Sequence, residues 1–433
     1  MTQKEALEVL KTGCNVFLTG SAGCGKTHVL NMFITHLKLQ QKKVGITAST
    51  GVAATHINGM TIHSWAGIGV KKEITDREIE ELLKKPYLHR RFRNTHTLII
   101  DEVSMLPSAM LEAVDKVCRA FKQQDLPFGG IQVVLCGDFF QLPPIKKQSS
   151  KIDFIFKSSV WNDLDLKVCY LEKPYRQYDL NFLHVLEEIR RNRLTQRTWD
   201  TLKQRFIQPL PRGIIPTKLY THNDRADAIN ATELAKIPER PRVFVMKSRG
   251  NETLTQVMKK SCLAPDQLVL KKGALVMFVK NNFEEGYVNG TLGRVLDFDE
   301  KGSPVVQTFE GKQVTALPAD WEIEEDGEIQ ARITQLPLRL AWAITIHKSQ
   351  GMSLDAAEID LGKSFVSGMG YVALSRVRTL EGIRLRSINR TALTVNNEII
   401  AFDRKLREMS KEVQKELQSS YWYKKNAEFL ERK

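Results

Sequence analysis

Cysteine is scarce in this sequence, and the few cysteines present lie far apart. None of them forms a C-x-x-C pair; the six are Cys14, Cys24, Cys118, Cys136, Cys169 and Cys262. This spacing argues against a structural zinc site and against a framework of disulfides. We therefore expect reduced thiols in a protein of a reducing compartment.

Long apolar runs are also missing. Nowhere in the 433 residues do eighteen uninterrupted apolar residues occur, so no transmembrane span is expected. The opening segment, MTQKEALEVLK, is polar and helix-like and lacks the apolar core of a signal peptide. These features predict a cytoplasmic location, with nuclear or mitochondrial routing of a longer parent chain left open.

Acidic residues are fewer than basic ones. The chain has 64 lysines and arginines against 50 aspartates and glutamates, which gives a net charge of +14. An excess of this size favours a polyanionic partner, most often nucleic acid, although many basic proteins bind no polyanion. Apolar content of 42% and charged content of 26% are typical of globular proteins, and the length predicts two to four domains.

Short apolar runs without alternation follow one another through the first half of the chain. They cover residues 16–19, 44–47, 98–100 and 133–136. Runs of this kind indicate strands buried on both faces, as in a parallel sheet covered by helices. A polar, charged insert at 71–93 separates the second run from the third.

A second region with strands and helices in alternation begins near Thr217. A strand is predicted at 218–221, with Asn223 at the N-cap of the next helix. From 273 to 333, short β-rich runs between Gly, Asn and Asp turns predict a small antiparallel barrel. The alternation returns at 338, and a long charged helix is predicted from 396.

The strongest local signal is a glycine-rich segment between the first strand and a helix. It fits G-x-x-x-x-G-K-[ST] with Gly20, Ser21, Ala22, Gly23, Cys24, Gly25, Lys26 and Thr27. Glycines let backbone N–H groups surround phosphate oxygens, and the helix N-terminus adds partial positive charge. Lys26 is expected to reach the β- and γ-phosphates and the Thr27 hydroxyl to ligate Mg²⁺, which predicts an ATP site.

Two carboxylates, Asp101 and Glu102, follow the third apolar run. P-loop ATPases place the aspartate that holds Mg²⁺ at the end of such a strand, and we assign that role to Asp101. We assign Glu102 the role of general base for the attacking water. An Asp-Glu pair after a strand is by itself usually a strand end that meets solvent, so the P-loop upstream is what favours the catalytic interpretation.

Gln141, after the fourth run, and two arginines complete the predicted catalytic set. The neutral amide of Gln141 can sense the γ-phosphate. Arg176 and Arg376 lie far from the P-loop in sequence, so both are predicted to face it from a second lobe and to neutralise charge on the transferred phosphoryl group. ATP would then hold a closing cleft together. The alternatives are a rigid loop for Gln141 and surface charges for the arginines.

Two clusters of hydroxyl, imidazole and glycine groups lie at 59–65 and 345–351. Such groups bond phosphate oxygens without reading the base sequence, as binders of single strands require. Trp65 and Phe139 are candidate platforms for base stacking, with ordinary core packing as the alternative interpretation for each.

Taken in order, these segments resemble those of the superfamily 1 helicases, and most closely the petite-integration-frequency family of 5′-to-3′ DNA helicases. The blocks that carry the resemblance lie at residues 20–27, 47–54, 61–65, 101–105, 137–144, 175–177, 345–351 and 371–377. The segment 106–119 resembles the helix that distinguishes this family, and 286–293 resembles the entry to its SH3-like barrel. The resemblance covers nearly the whole chain.

The resemblance implies an α/β fold with two RecA-like lobes, each with a parallel sheet. It implies a first lobe at 1–62 and 94–175, an accessory element at 63–93, a second lobe at 176–272 and 336–433, and an SH3-like barrel at 273–335. ATP and Mg²⁺ would bind between the lobes, with Gln3 recognising adenine and Gly351 beside the nucleotide. Single-stranded DNA would cross the tops of the lobes, held by Thr50, Gly51, His63, Ser64, Trp65, Phe139, Thr345, His347, Lys348 and Ser349.

The family also implies a range of substrates and roles. Its members unwind forked duplexes, RNA–DNA hybrids and G-quadruplexes, with roles in DNA repair, recombination and telomere maintenance, and we expect a monomer in the free state. Other functions share many of these blocks: the motor subunit of a RecD-like recombination complex, and an ATPase switch that acts on DNA without unwinding it. An RNA-specific motor stays open. The insert at 71–93 is interpreted as either a separating wedge or a surface excursion.

Cys24 departs from the family, which more often has Thr or Ser at this place in the P-loop. A tolerated small side chain is the favoured interpretation. A second hypothesis is that the phosphate-binding N–H groups favour the Cys24 thiolate and open it to alkylation in the absence of ATP. The terminal helix, with Tyr421, Trp422 and Tyr423 near its end, is expected to pack on the second lobe.

Overall fold

A computed structural model of the chain describes residues 1–69, 74–144, 152–208, 210, 215–220, 223–282, 284–325, 328–364 and 366–419. Two parallel sheets covered by helices form two lobes, and antiparallel strands form a third part. The α/β class expected from the sequence is therefore confirmed.

The first parallel sheet, with its helices, is called lobe 1. Its strands are β1 (Val16–Gly20), β2 (Val44–Ala48), β3 (Met60–Thr61), β4 (Thr97–Asp101), β5 (Gln132–Cys136) and β6 (Lys167–Leu171). They lie in the order β3-β2-β4-β5-β1-β6, and every residue of β1, β4 and β5 is buried. Because the carboxyl ends of parallel strands share one edge of a sheet, the polar segments after β1, β4 and β5 meet there.

Helices cover both faces of this sheet. They are α1 (Gln3–Lys11), α2 (Lys26–Leu39), α3 (Gly51–His56), α4 (Ile62–Trp65), α5 (Asp76–Leu83), α6 (Pro86–Asn94), α7 (Ser108–Lys122) and α8 (Ser159–Asp163). The charged insert contributes α5 and α6, which pack against α7; residues 70–73 of the insert lie outside the described part. Phe92 of α6 stacks on Phe121 of α7, with ring centroids 4.5 Å apart.

The rest of the chain contains the second parallel sheet and the antiparallel strands. The strands are β7 (Thr217–Tyr220), β8 (Arg242–Val245), β9 (Lys247–Gly250), β10 (Gln267–Leu270), β11 (Leu275–Phe278), β12 (Leu292–Phe298), β13 (Pro304–Thr308), β14 (Gln313–Thr315), β15 (Ala319–Glu325), β16 (Glu328–Gln335), β17 (Leu338–Leu340), β18 (Ala343–Thr345), β19 (Ala357–Leu361) and β20 (Ile383–Ile388). The helices are α9 (Leu180–Arg190), α10 (Gln196–Lys203), α11 (Asn223–Ala235), α12 (Glu252–Ser261), α13 (Met369–Ser375) and α14 (Asn397–Ser419). None of the helices in the described ranges is both long and apolar enough to cross a bilayer.

Lobe 2 is the second parallel sheet, in the order β18-β7-β19-β20, with the helices around it. As the sequence predicts, β7 leads into α11, which begins at Asn223. Residue 221 and the side chain of Asn223 lie outside the described part, so the predicted cap stays a prediction. The helix α13 connects β19 to β20 and is buried along its whole length.

The antiparallel strands reach beyond the predicted range. Strands β14-β13-β12-β11-β17 form one sheet, β15-β16-β9 a second, and β10-β8 a third. The region therefore includes β8, β9 and β10, which precede the boundary expected at residue 273. All four residues of β9 are exposed, so it has no apolar pattern to mark it as a strand, and only its pairing with β16 shows it. The SH3-like form of a barrel stays a prediction.

The terminal helix α14 packs on lobe 1, so the expectation that it covers lobe 2 was wrong. It lies along β6, where Ser410 Oγ accepts a hydrogen bond of 3.0 Å from the backbone N–H of Tyr170. Phe402 stacks on Phe156, with centroids 4.1 Å apart. An apolar stripe shows that a helix is covered but not which surface covers it. Residues 421–423 lie outside the described part.

Candidate functional site

A cleft of about 480 Å³ between the lobes contains all six predicted catalytic residues. Lobe 1 lines it with Lys26, Thr27, Thr50, Asp101, Glu102 and Gln141. Arg176 lies on the same side, packed against Gly23 of the P-loop, while His347, Lys348, Gly351 and Arg376 of lobe 2 stand opposite. Residues from distant parts of the chain are thus brought to one place. Arg376 faces the P-loop from lobe 2 as the sequence predicts, whereas Arg176 lies beside the P-loop, because the backbone N–H of Tyr175 donates to the carbonyl oxygen of Gly23 at 2.9 Å.

The glycine-rich loop between β1 and α2 has a backbone that larger residues would not allow. Gly20, Gly23 and Gly25 all have positive φ, and Gly25 is the N-cap of α2. A Cβ on Gly20 would collide with the carbonyl oxygen of Leu171, and one on Gly23 would lie 2.5 Å from Cβ of Arg176. These glycines are therefore required by close backbone approach as well as by conformation.

The side chain of Lys26 lies inside the loop. Its Nζ donates hydrogen bonds to the carbonyl oxygens of Gly20 and Ser21, at 3.0 and 3.1 Å. Burial opposes the charged ammonium, but electrostatic attraction to the sulfur of Cys24 and to the carboxylate of Asp138 outweighs it, and the pKa of Lys26 stands above its ordinary value. A cation therefore stands beneath the loop's N–H groups, where a phosphate oxygen needs one.

Asp101 and Glu102 lie at the end of β4 and are forced close together. The backbone N–H of Glu102 donates to Asp101 Oδ1 at 2.8 Å, and Glu102 has a φ of 54°, which is uncommon for a residue with a side chain. Burial and the neighbouring Asp101 raise the pKa of Glu102 to about 7, and burial also raises the pKa of Asp101. Two serines lie close to this pair: the backbone N–H of Ser49 donates to the carbonyl oxygen of Asp101, and Ser104 follows Glu102 by two residues. Their buried hydroxyls find no hydrogen-bond partner among the described residues.

This donor set fits a magnesium ion. Mg²⁺ prefers hard oxygen ligands and is held in nucleotide sites by one or two carboxylates together with phosphates. Asp101 supplies a carboxylate and Thr27 an exposed hydroxyl on the same cleft. The charge of Mg²⁺, in addition to that of Lys26, would also offset the free-energy cost of burying the adjacent carboxylates of Asp101 and Glu102.

Gln350 is a site residue that sequence reasoning did not select. From lobe 2 its Nε2 donates to Glu102 Oε2 at 3.0 Å and lies 3.5 Å from Gln141 Oε1. One amide thus contacts the predicted base and the predicted phosphate sensor across the cleft. Gln350 falls within the block 345–351, so the sequence indicates that the segment is functional. The residue type does not predict which group a neutral amide will contact.

The two arginines are held by neutral acceptors. Arg176 Nη1 donates to the carbonyl oxygen of Ser375 at 3.1 Å, and Arg376 donates to the carbonyl oxygen of Val372 and to Ser375 Oγ, each at 3.0 Å. In the described ranges neither forms a salt bridge with a carboxylate. Burial and the adjacent Arg376 lower the pKa of Arg176 to about 9, and burial lowers the pKa of Arg376. An anion between them would offset this repulsion.

Gln3 and Tyr175 flank the loop at Gly25. Gln3 Nε2 donates to the carbonyl oxygen of Cys24 at 3.1 Å, which places the predicted adenine-recognising amide beside the P-loop. The ring of Tyr175 also lies near Gly25, 3.9 Å from the position of a Cβ there, and 44% of the residue is exposed. Tyr175 falls within the block 175–177, but its residue type alone assigns it no role, although its exposed ring borders the cleft.

The predicted DNA contacts divide into two groups. Thr50 and Gly51 begin α3, His63 and Ser64 lie in α4, and all are partly exposed, while His347 and Lys348 line the cleft. By contrast Thr345 and Ser349 are buried, and their hydroxyls serve the turn itself. Thr345 Oγ1 accepts from the N–H of Lys348, and Ser349 Oγ donates to the carbonyl oxygen of Ile346 at 2.8 Å. These two shape the turn and present no surface to DNA in this structure, which corrects the prediction.

Trp65 and Phe139 are core residues, so their prediction as stacking platforms was wrong. Trp65 is 3% exposed and meets the ring of Phe92 at 4.7 Å. Phe139 is 4% exposed and lies among aromatic rings that include Phe17 and Phe402, at 5.5 and 5.7 Å. Neither ring has a free face, because the helices that cover the sheet enclose both.

Cys24 is fully buried, and all six cysteines are free thiols. Its Sγ lies 3.9 Å from Lys26 Nζ, beneath the loop. The structure therefore favours the interpretation of a tolerated small side chain, since a thiol reagent has no access to this sulfur without movement of the loop.

Comparison with known proteins gives consistent results over both parts of the chain. The model of a PIF1-like helicase matches residues 2–195, and that of the 2B domain of the DNA helicase Pif1 matches 253–298. The ATP-dependent DNA helicase Pif1 of a Psychrobacter species is 42% identical over 96% of this chain and 72% of that protein. The Xenopus laevis protein of the same description is 40% identical over 92% of this chain, which spans only 63% of it.

Solved structures agree. Pif1 of a Bacteroides species in complex with ADP-AlF4 has a TM-score of 0.81 at 31% identity, covering 94% of this chain and 96% of that one. Bacteroides Pif1 bound to ssDNA has a TM-score of 0.61 at 31% identity, covering 93% and 96%.

Proposed function

Because this chain belongs to the PIF1-like helicase family and is an ATP-dependent DNA helicase, we propose that it moves 5′-to-3′ along single-stranded DNA by closing and opening the cleft between its lobes. The observation that carries this proposal is the cleft itself. The P-loop, with Arg176 packed against Gly23, forms one wall, and Arg376 of lobe 2 lies on the other; among the described residues neither arginine pairs with a carboxylate. A triphosphate between these walls would draw them together, since it bonds to both. Its hydrolysis and release would let them part.

The residues of the cleft have distinct proposed roles in ATP hydrolysis. Lys26 binds the β- and γ-phosphates, and Glu102 takes the proton of the water that attacks the γ-phosphorus. Its raised pKa, about 7, suits a general base at neutral pH. Arg176 and Arg376 neutralise the charge that develops on the transferred group and on the leaving ADP.

Thr27 and Asp101 would hold Mg²⁺, which neutralises charge on the β- and γ-phosphates when bound. Gln141 is positioned to report the γ-phosphate, and Gln350 connects it to lobe 2 through a second amide. Gln3 and Tyr175 both lie next to Gly25 of the P-loop. We propose that the Gln3 amide bonds the adenine edge and that the Tyr175 ring stacks on the base.

DNA binding is proposed for Thr50, Gly51, His63, Ser64, His347 and Lys348, of which Thr50, His347 and Lys348 also line the cleft. These residues offer hydroxyl, imidazole, ammonium and backbone groups, which bond phosphates rather than base edges. Affinity should therefore fall steeply as salt rises and depend little on base sequence. Duplex DNA, RNA–DNA hybrids and G-quadruplexes are the proposed substrates, by resemblance to the family.

Strand separation on two matched duplexes tests this function. One carries a 5′ single-stranded tail and the other a 3′ tail, with ATP and Mg²⁺ present and Lys26→Ala and Glu102→Gln as inactive controls. Unwinding from the 5′ tail alone, lost in both variants, is the expected result. Unwinding from the 3′ tail would refute the polarity. DNA-stimulated ATP hydrolysis without any strand separation would favour the switch or the RecD-like subunit instead.

A further inference from the structure

Arg190, near the end of α9, is the centre of a buried hydrogen-bond network that none of the roles above uses. Its Nη1 donates to both carboxylate oxygens of Asp138, at 3.0 and 2.9 Å, and to the hydroxyl of Tyr371 at 2.9 Å. Its Nη2 donates to the hydroxyl of Tyr170 at 3.0 Å. The guanidinium also lies 4.1 Å from the centroid of the Phe140 ring, and Arg190 is only 3% exposed.

Through Asp138 the network reaches the predicted phosphate sensor. Gln141 Nε2 donates to Asp138 Oδ2 at 3.3 Å, and the backbone N–H of Gln141 donates to the carbonyl oxygen of Asp138 at 2.9 Å. Asp138 Oδ1 also accepts from the backbone N–H of Phe140 at 3.2 Å. The side chain of Asp138 therefore determines the shape of the turn that carries Gln141, and Arg190 holds that side chain.

Through Tyr371 the network reaches the P-loop and the arginine of lobe 2. The hydroxyl of Tyr371 accepts a hydrogen bond of 3.0 Å from the backbone N–H of Ala22, inside the P-loop. Tyr371 lies on α13, and Arg376 is the C-cap residue of that short helix. The guanidinium of Arg190 is thus connected to the P-loop and to the helix that carries Arg376 through Tyr371, and to the Gln141 turn through Asp138.

On its outer side the network continues into α14. The Tyr170 hydroxyl donates to Asp403 Oδ1 at 2.8 Å and accepts from Arg407 Nη2 at 2.7 Å. Asp403 Oδ2 in turn accepts from Arg407 Nε at 2.8 Å, and Asp403 Oδ1 lies 3.7 Å from Arg190 Nη2. Burial raises the pKa of the Tyr170 hydroxyl, which therefore keeps the proton that it donates to Asp403.

Stability alone does not account for this arrangement. Burying charged groups costs desolvation free energy, and apolar side chains of similar volume often stabilise a core as well or better. What a planar guanidinium adds is orientation, because its fork of donors holds several acceptors in fixed directions. The acceptors here all belong to, or directly support, the elements that meet at the ATP cleft.

We propose that Arg190 is a positioning residue for ATP hydrolysis, and that α14 fixes its orientation through Tyr170 and Asp403. The proposal rests on the proposed function, because it assigns the geometry of that same site. It predicts that α14, which lines no part of the cleft, influences the rate of hydrolysis. Since Arg190 touches no phosphate, it should affect the reaction step rather than the binding of ATP.

The test compares Arg190→Lys and Tyr170→Phe with the wild type and with Arg191→Lys as the matched control. Arg190→Lys keeps the charge but loses the fork, and Tyr170→Phe keeps the ring but removes the hydroxyl that connects α14. Arg191 is the next residue, is exposed, and pairs only with Glu187 among the described residues. We would measure kcat and KM for ATP with saturating oligo(dT), and the number of sites that bind a fluorescent ADP analogue.

We expect kcat per nucleotide-binding site to fall about 10- to 100-fold in Arg190→Lys, as misplacement of catalytic groups commonly produces. Tyr170→Phe should show a smaller fall in the same parameter. In both, KM for ATP should stay within about two-fold of the wild type, because ground-state binding is not altered. Arg191→Lys should behave as the wild type does.

The possible outcomes separate the two proposals. If the wild type hydrolysed ATP but both variants kept its kcat per binding site, the role of Arg190 would be refuted and the proposed function would stand. A loss of binding sites in Arg190→Lys at normal kcat per remaining site would show that Arg190 only supports folding, which also refutes the role. Should Arg190→Lys fail to fold, an unchanged kcat in Tyr170→Phe refutes the connection to α14. A wild type without DNA-stimulated hydrolysis would refute the proposed function itself.

Discussion

Replacing Arg176 by glutamine is expected to make the nucleotide-free protein more stable and the enzyme nearly inactive. Arg176 is partly buried beside Arg376, and its Nη1 donates a hydrogen bond to the neutral carbonyl oxygen of Ser375. No carboxylate among the described residues pairs with it. The charge is therefore held against repulsion and incomplete solvation until an anion enters the cleft.

The size of the effect follows from the pKa of Arg176. Burial, and then Arg376, lower this pKa to about 9, well below the ordinary value of a free arginine. At about 1.4 kcal/mol for each pKa unit, the charged form would cost about 5 kcal/mol in the folded protein. Since part of the side chain faces the open cleft, solvent screening reduces this figure, and we expect Arg176→Gln to gain roughly 1 to 3 kcal/mol.

Differential scanning calorimetry and steady-state kinetics measure the two halves of this prediction. Without nucleotide, the melting temperature should rise by about 2 to 5 °C. With ADP and aluminium fluoride, the variant should gain less stability than the wild type, because a cation that binds the phosphoryl mimic is gone. The value of kcat should fall about 1000-fold or more, as for other arginines that act on a transferred phosphoryl group.

Arg191→Gln, the same change at an exposed position, is the control and should alter neither property. A lower melting temperature for nucleotide-free Arg176→Gln would refute the reasoning, because it would show that Arg176 supports the fold. A normal kcat would refute its role at the phosphates.

Three further predictions concern single side chains. Trp65→Ala should lower the free energy of unfolding by about 3 to 5 kcal/mol, as removal of a buried aromatic ring does; reduced affinity for oligo(dT) at unchanged stability would contradict its place in the core. Gln350→Ala should lower kcat about ten-fold with little change in KM for ATP, because it removes an amide that contacts Glu102 from across the cleft; a raised KM alone would point to nucleotide binding instead. Burial lowers the pKa of His56 to about 4, so the unfolded chain binds more protons between about pH 6.5 and 4, and stability should fall as pH falls through this window. Urea unfolding at pH 5 and at pH 7 measures the loss of stability between these pH values. Because His56 is partly exposed, His56→Asn should reduce this loss by only about 1 to 2 kcal/mol. An unchanged loss would contradict the lowered pKa of His56.

The nucleotide site could be predicted from the sequence because its determinants are local. Eight consecutive residues supply the glycines, the lysine and the helix start, and the strand before them is apolar throughout since both of its faces are buried. The same holds for Asp101 and Glu102, which directly follow such a strand. Short-range backbone geometry is encoded in residue types at fixed spacing, so a motif of this kind predicts its own conformation.

Contacts between distant segments were decided only by the tertiary structure. Gln350 meets Glu102 across 248 residues of chain, and Arg190 meets Tyr371 across 181. The burial of Trp65 depends on helices that the insert happens to contribute, and its residue type allows a core position or a surface one equally. The apolar residues along one side of α14 predict that this side is buried, but only the tertiary structure shows that it packs on β6. Apolar burial is not directional, and hydrogen-bond donors do not specify their acceptors, so partners of this kind are set by which elements the whole chain brings together.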